Sequence, residues 1–315
     1  MARVLVTGGA GFIGSHLVEA LVRLGHDVTV LDNLSTGKME NLASVQGHIR
    51  FITGDVRDYD TVSDACAGCE FVFHEAAHVS VAESVEKPQK TIAINVDGTL
   101  NVLLAASRKG VKRLIFASSS SVYGDTDVLP QKETILPSPV SPYAASKISG
   151  EHLCQTFFRS YGLETVSLRY FNVFGPRQDP NSPYAAVIPK FISALVEGEA
   201  PIIFGTGKQS RDFVYVENVV SANILAMTAD AVGGAVFNVG SGEEYDLLTL
   251  LDIVSKETKQ NIPPVFSKPR PGDVFRTRAS IELAQQRLGY KVIVPFKDGL
   301  IRTVAWFKNE YEKRG

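Results

Sequence analysis

The stretch "VLVTGGAGFIGSHLVEAL", residues 4–21, constrains this chain more than any other. A short apolar, β-rich run passes directly into glycines at positions 8, 11 and 14 and then into a pattern of helical period. Gly8 permits a tight turn, Gly11 lets a pyrophosphate approach the backbone, and Gly14 allows the helix to pack closely on the strand. The free N–H groups at the helix start then face the phosphates. The next apolar run, "HDVTVLD", ends in Asp32, 18 residues after Gly14, about where a carboxylate meets the ribose hydroxyls of a dinucleotide. An acid there disfavours a 2′-phosphate, so the expected cofactor is NAD and not NADP.

The rest of the first half repeats this rhythm. The runs "IRFITGDV", "EFVFHEAA" and "VKRLIFASS" read as buried strands, with helices expected near 12–24, 58–67 and 90–109. A further helix begins at Tyr143, and a strand, "ETVSLRYFNV", covers 164–173. Apolar strands alternating with helices predict an α/β fold with a doubly wound parallel sheet covered on both faces. After Phe174 the pattern breaks into "GPRQDPNSPYAA", which marks a boundary. Residues 1–173 are thus expected to form the dinucleotide-binding domain and 174–315 a smaller α/β substrate domain, with the strand 235–241 a candidate to rejoin the first sheet. In the second part, helices are expected near 187–197 and 217–229, from about Asp246, and twice more at the end, with short strands at "PIIFG" and "DFVYV".

Composition narrows the function classes. A net charge of −2 over 315 residues gives no support to a nucleic-acid or membrane-surface role. No apolar run approaches the ~20 residues of a membrane span. Three cysteines (Cys66, Cys69, Cys154) do not make a disulfide framework, which points to the cytoplasm. The lone "CAGC" lacks the further ligands a zinc site needs, and the six histidines show no paired spacing, so no metal is expected.

"SPYAASKISGEHL", residues 141–153, carries Tyr143 and Lys147 one helical turn apart on one face. An unperturbed phenol titrates near ~10, so a working base at neutral pH needs a shift of roughly three units, about 4 kcal/mol. One exposed lysine does not supply that; a lysine plus a second fixed cation in a cleft does. Oxidised nicotinamide is such a cation. The strand ends at "GDV" (Asp55, Val56) and "EAA" (Ala76, Ala77) fall on the same ligand-binding edge of the sheet. So does "ASSSSVYGD", whose hydroxyls can share a substrate proton with the tyrosine.

With "TGGAGFIG", Asp32, "GDV", "AA", "SSSSVYG", "YAASK", "RYFNVFGP", "RDFVYV" and "RPGD" in order, the chain resembles the extended short-chain dehydrogenase/reductase superfamily along essentially its whole length. Within it the likeness is to the UDP-hexose 4-epimerases, including those acting on UDP-N-acetylglucosamine. The resemblance implies a Rossmann-type NAD domain, a smaller nucleotide-sugar domain and a homodimer built on a four-helix contact. It implies that Tyr143 is the catalytic base, Lys147 its partner and Ser119 the catalytic hydroxyl. It places Gly8, Gly11, Phe12, Ile13, Gly14, Asp32, Asn33, Asp55, Val56, Ala76, Ala77, Asn95 and Tyr170 on the NAD, together with Tyr143 and Lys147. The UDP-sugar falls to Ser80, Ser119, Ser120, Ser121, Tyr143, Asn172, Val187, Phe204, Arg211, Arg270, Asp273 and Thr277. Asn172, Arg211 and Arg270 would meet the diphosphate and nucleoside, Asp273 the ribose, and Phe204 the base.

Three alternatives stand beside this reading. A nucleotide-sugar 4,6-dehydratase needs an acid and base near C5 and C6, and the chain has Ser120 and Ser121 there, with no carboxylate until Asp125. A UDP-glucuronate 4-epimerase shares the chemistry, but its relatives tend to have threonine where Asn172 stands. A non-catalytic dinucleotide sensor commonly loses the Tyr–Lys pair, which is present here. The resemblance also puts Thr277 at the wall beside the sugar's C2 substituent, where a tyrosine closes the pocket to N-acetyl groups.

Overall fold

The computed structural model of the chain describes residues 1–180, 186–268 and 274–313. At its centre is β1 (Arg3–Thr7), whose Val4 and Val6 are sealed in one apolar core while Leu5 enters another. Side chains alternate across a strand, so both faces of the sheet must be covered. Strands β2 (Asp27–Asp32), β3 (Ile49–Thr53), β4 (Phe71–His74), β5 (Arg113–Ser119) and β6 (Glu164–Tyr170) join it. Of the later short strands β7 (Asn172–Phe174), β8 (Ile202–Phe204), β9 (Ser210–Arg211), β10 (Phe213–Tyr215) and β11 (Ala235–Val239), only β11 returns to this sheet. The order is β3–β2–β1–β4–β5–β6–β11, all parallel. The strand order reverses between β1 and β4, and such switch points open a ligand crevice at the carboxyl ends.

One face is covered by α1 (Phe12–Arg23), the other by α2 (Tyr59–Ala65). After two short helices, α3 (Val81–Glu86) and α4 (Pro88–Ile92), the helices α5 (Gly98–Arg108) and α6 (Pro142–Tyr161) complete the second face. The helix expected over 90–109 is interrupted by a π-helical turn, Ala93–Asp97, and the expected strand 164–173 is two strands. After Phe171, whose N–H still bonds Val239, the N–H of Asn172 turns to the carbonyl of Asp212, so β7 pairs with β10 instead of extending β6. Both departures depend on partners remote in sequence, to which local periodicity is blind. A third core gathers α7 (Val187–Val196), α9 (Leu247–Thr258) and α11 (Phe296–Glu312), while α8 (Val216–Thr228) and α10 (Glu282–Leu288) pack with the sheet and α1. The buried Arg113 fixes α8 from β5, its Nη1 donating to the carbonyls of Ala226, Met227 and Ala229, where a cation suits a helix C-terminus.

His74, at the end of β4, is 1% exposed and sits between the hydroxyls of Thr7 (2.7 Å) and Thr99 (2.9 Å). Burial, helped by the charge of Lys147, pushes its imidazole down to about 3. The unfolded chain then binds a proton that the folded chain refuses, so this residue removes stability as pH falls from about 6.5 toward 3. The buried carboxyls of Glu75 and Asp212, held above their ordinary range by burial, act in the opposite sense. A variant comparison separates them. His74→Gln, which keeps polar atoms for both threonines, should show an acid slope of stability shallower than wild type by about 1.4 kcal/mol per pH unit between pH 6 and 4. Urea midpoints measured across that range check this, and parallel slopes would refute it.

Candidate active site

The glycine turn is a cradle that no side chain could share. Gly8 has φ +69°, and a Cβ on it would stand 2.7 Å from the amide nitrogen of Ala76, so the ends of β1 and β4 meet backbone to backbone. A Cβ on Gly14 would stand 2.2 Å from the carbonyl oxygen of Gly8. No side chain caps α1 at Gly11, which leaves its first N–H groups facing outward, as an anion requires. In the first turn, Ile13 packs between the sheet core and the third core, and Phe12 packs against the third core. Asp32 ends β2, its carboxylate accepting from the N–H of Ala10 (2.9 Å) and of Leu34 (2.8 Å). Beside it Asn33 donates to Asp55 at 2.8 Å. Arg57, not foreseen from sequence, grips Asp55 with two nitrogens at 2.9 Å and holds that carboxyl well below its usual range. Val56 lies against Gly98 of α5. These donors and this close backbone approach fit a dinucleotide.

At the carboxyl end of β5 the chain enters a short 3₁₀ turn, Ser120–Tyr123. Ser119 accepts from the N–H of Ser121 (3.2 Å) and hydrogen-bonds the Tyr143 hydroxyl. Tyr143 sits in the first turn of α6, which Ser141 caps by accepting from the N–H of Ala144 at 3.1 Å. Lys147, 4% exposed, donates from Nζ to the carbonyl of Ala117 (2.7 Å), 5.9 Å from the centre of the Tyr143 ring. Burial raises the Tyr143 phenol above its ordinary value, with the Ser119 bond pulling the other way. Burial likewise lowers the Lys147 ammonium, opposed first by the charge of Glu75. The protein groups by themselves therefore do not activate the phenol, and a second cation is needed to do so.

The π turn carries Asn95, whose amide is taken up within the protein. It accepts from the N–H of His78 (2.7 Å) and donates to the His78 carbonyl (3.0 Å) and to Ser146 (2.9 Å). Ser146 in turn donates to the carbonyl of Tyr143. The loop after Ala76 and Ala77 is thereby tied to the base of α6, and Ser84 adds a second tie to the N–H of Tyr143. Ser80 caps α3, accepting from the N–H of Glu83. The Ser121 hydroxyl is buried with no hydrogen-bond partner among the described residues, which suits a sugar hydroxyl beside Ser119 and Ser120.

The sugar-side residues converge from the second half of the chain. Asn172 donates to the carbonyl of Asp212 (3.1 Å) and to the hydroxyl of Thr277 (3.4 Å), so Thr277 stands next to a residue expected at the diphosphate. Arg211, on β9, donates from Nη1 to the carbonyls of Ser210 and Phe275. Phe204 ends β8, and Val187 begins α7. Arg270 and Asp273 lie outside the described residues. Two acids escaped the sequence reading. Asp212, 0% exposed, accepts from the backbone of Ser241, Gly242 and Ala279 and so pins three segments around Arg211 and Thr277. Its signal was an acid inside the apolar run "RDFVYV". Glu75, directly before Ala76, accepts from the Tyr170 hydroxyl at 2.7 Å, and Tyr170 accepts from Asn223 at 2.7 Å.

A glycine cradle with an acid at the next strand end, beside a Ser–Tyr–Lys group, defines a nicotinamide-dependent enzyme of the short-chain dehydrogenase type. The family model of the NAD dependent epimerase/dehydratase family matches residues 4–240. The UDP-glucose 4-epimerase of Mycolicibacterium smegmatis is 39% identical over 98% of this chain and 99% of its own length. Among solved structures, the UDP-N-acetylglucosamine 4-epimerase of Methanobrevibacter ruminantium, in complex with UDP-N-acetylmuramic acid, is 44% identical, with a TM-score of 0.94 over 98% of this chain and 99% of that one. The UDP-glucose 4-epimerase of Thermotoga maritima, with UDP-glucose, is 40% identical at the same TM-score and coverage. This chain belongs to the NAD dependent epimerase/dehydratase family, and NAD is its cofactor.

Proposed function

We propose that the chain is a UDP-hexose 4-epimerase that interconverts UDP-glucose and UDP-galactose and also accepts the N-acetylated pair. The observation that carries this reading is the grouping of Ser119, Tyr143 and Lys147 at the carboxyl ends of the sheet, flanked by hydroxyls and not by a dehydratase's carboxylates. Asp125, the next acid along, is exposed. Bound NAD⁺ supplies a hydride acceptor and a positive charge. Tyr143 receives the proton of the sugar's O4, and Ser119 holds that hydroxyl in line. Lys147 keeps positive charge beside the phenol, and the same tyrosine returns the proton when the 4-keto sugar has presented its other face. Residues 1–173, with β11, serve as the NAD domain, and most of 174–315 holds the nucleotide sugar. The reading includes a cytoplasmic location and a homodimer built on a four-helix contact, the dimer being testable by sedimentation. Among the described residues no helix is long and apolar enough to cross a membrane.

Incubation with UDP-glucose, UDP-N-acetylglucosamine and UDP-glucuronate, read by sugar NMR, tests the reading directly. Epimers of the first two support it, whereas a dehydrated product or turnover of the glucuronate alone would reject it. The position of Thr277 beside Asn172 sharpens the test of pocket size. Thr277→Tyr should lose UDP-N-acetylglucosamine selectively, by at least about tenfold in kcat/KM, since ring overlap with an acetamido group is costly in a packed site. Equal loss of both sugars would place the wall elsewhere.

A further inference from the structure

Shortly after Asn172, expected at the diphosphate, the chain reaches Arg177, whose side chain lands on the helix behind the glycine turn. Arg177 donates from Nη1 to the hydroxyl of Ser15 (3.2 Å) and from Nη2 to Glu19 (2.6 Å), both on α1. His16, between them on the same helix, donates from Nε2 to the carbonyl of Pro176 at 3.0 Å. Gln178 then folds back, its amide donating to the carbonyl of Val173 in β7 (3.1 Å). The chain from β7 to Gln178 is thereby strapped to the first two turns of α1, whose leading N–H groups suit the NAD pyrophosphate.

The strap uses a costly conformation. Arg177 has φ +68°, a left-handed backbone that glycine adopts freely and other L residues resist. Glycine would serve the turn better if the backbone alone mattered, so the bonds of the guanidinium must offset the strain. The Arg177 and Glu19 side chains are only 19% and 16% exposed, so salt screens the pair weakly. Burial pulls the Glu19 carboxyl up, yet its bonds to Arg177 and Ser44 outweigh this and hold it below its ordinary range. At its start β7 is fixed separately, since it pairs with β10 and Asn172 bonds Asp212 and Thr277.

We infer that Arg177 is a positioning residue for the reaction: bonded to Ser15 and Glu19, it sets the strand that carries Asn172 at one distance from the helix that carries the NAD pyrophosphate. This deepens the epimerase reading and rests on it. The sugar is tethered through its diphosphate and the nicotinamide through its pyrophosphate, so play between the two tethers becomes misalignment at the reacting carbon. Cutting the strap removes no contact of Asn172 with Asp212 or Thr277 and none of the glycine turn, so each ligand should still bind.

The test is Arg177→Gly, which suits the left-handed backbone and removes the guanidinium. In holoenzyme, amide exchange of residues 173–178 should quicken by about tenfold or more. Calorimetric affinity for UDP and the NAD content of the purified enzyme should stay close to wild type. Meanwhile kcat for UDP-glucose should fall about tenfold or more with KM little changed. A role in the fold alone would lower the melting temperature and leave kcat, measured well below it, unmoved. Glu19→Ala cuts the strap from the side of α1 and should reproduce both effects, and the double variant should be no worse than the worse single. Unchanged exchange, near-normal kcat, a loss of UDP affinity equal to the loss of kcat, or additive losses in the double variant each overturn the inference. If Arg177→Gly does not fold, Glu19→Ala carries the exchange and kinetic arms with the same outcomes. A wild type that turns over no UDP-sugar would reject the epimerase reading instead, and the exchange arm, which needs no substrate, would still decide whether Arg177 holds the segment.

Discussion

Tyr143→Phe is expected to lower kcat by about 10²–10⁴-fold while leaving the affinity for UDP-glucose and NAD within a factor of a few. The substitution removes one oxygen and keeps the ring, and it leaves the backbone of Tyr143 tied to Ser84 and Ser146. What goes is the hydroxyl that bonds Ser119, on a ring whose centre stands 5.9 Å from the Lys147 ammonium. An interaction made only in the transition state costs kcat and kcat/KM alike, whereas uniform binding would appear in KM. Turnover from initial rates, paired with calorimetric binding of the UDP-sugar, separates the two. Near-normal turnover in the variant would mean that another group moves the proton.

The second large effect is expected at Gly14. Its replacement by alanine would put a Cβ 2.2 Å from the carbonyl oxygen of Gly8 and 2.9 Å from the Cα of Gly9, against backbone that cannot rotate away. The start of α1 must then lift from the end of β1, which spoils both the turn and the N–H groups facing the phosphates. A loss of about 3 kcal/mol or more is expected, as lowered stability, as NAD affinity reduced by at least a hundredfold, or as both. Gly47→Ala is the control, because nothing lies within 4 Å of a Cβ there and its φ is ordinary. Calorimetric NAD binding and thermal melts of both variants decide the matter. NAD affinity and melting temperature of Gly14→Ala both close to wild type would mean that the cradle has room the geometry denies.

Much of this site was legible because its key spacings are local. Gly8, Gly11 and Gly14 follow from what a strand–turn–helix junction tolerates, and Tyr143 and Lys147 from one turn of helix. Asp32 falls where a strand of ordinary length must end. Other expectations came only through the resemblance, and there the structure adds partners. The Asn95 amide serves His78 and Ser146, and the Tyr170 hydroxyl serves Glu75 and Asn223, so both residues brace the site from within the protein. Cys66 and Cys69 are free and buried, and burial pushes both thiols up, to about 12 and 11, which makes them inert packing groups.

From its sequence alone, then, the chain determined a parallel sheet, a phosphate-ready glycine turn and a tyrosine–lysine pair on one helical face. Each is a matter of period or of backbone sterics within some twenty residues. Tertiary structure decided the rest: Thr277 beside Asn172, 105 residues away, Glu75 bonded to Tyr170, 95 residues away, and Asp212 joined to Ser241, Gly242 and Ala279. Those contacts exist because burying three apolar cores settles how β4, β6, α8 and the segment around Thr277 approach one another. A buried carboxyl or hydroxyl then takes whatever partner that packing delivers, and no local spacing records which one it will be.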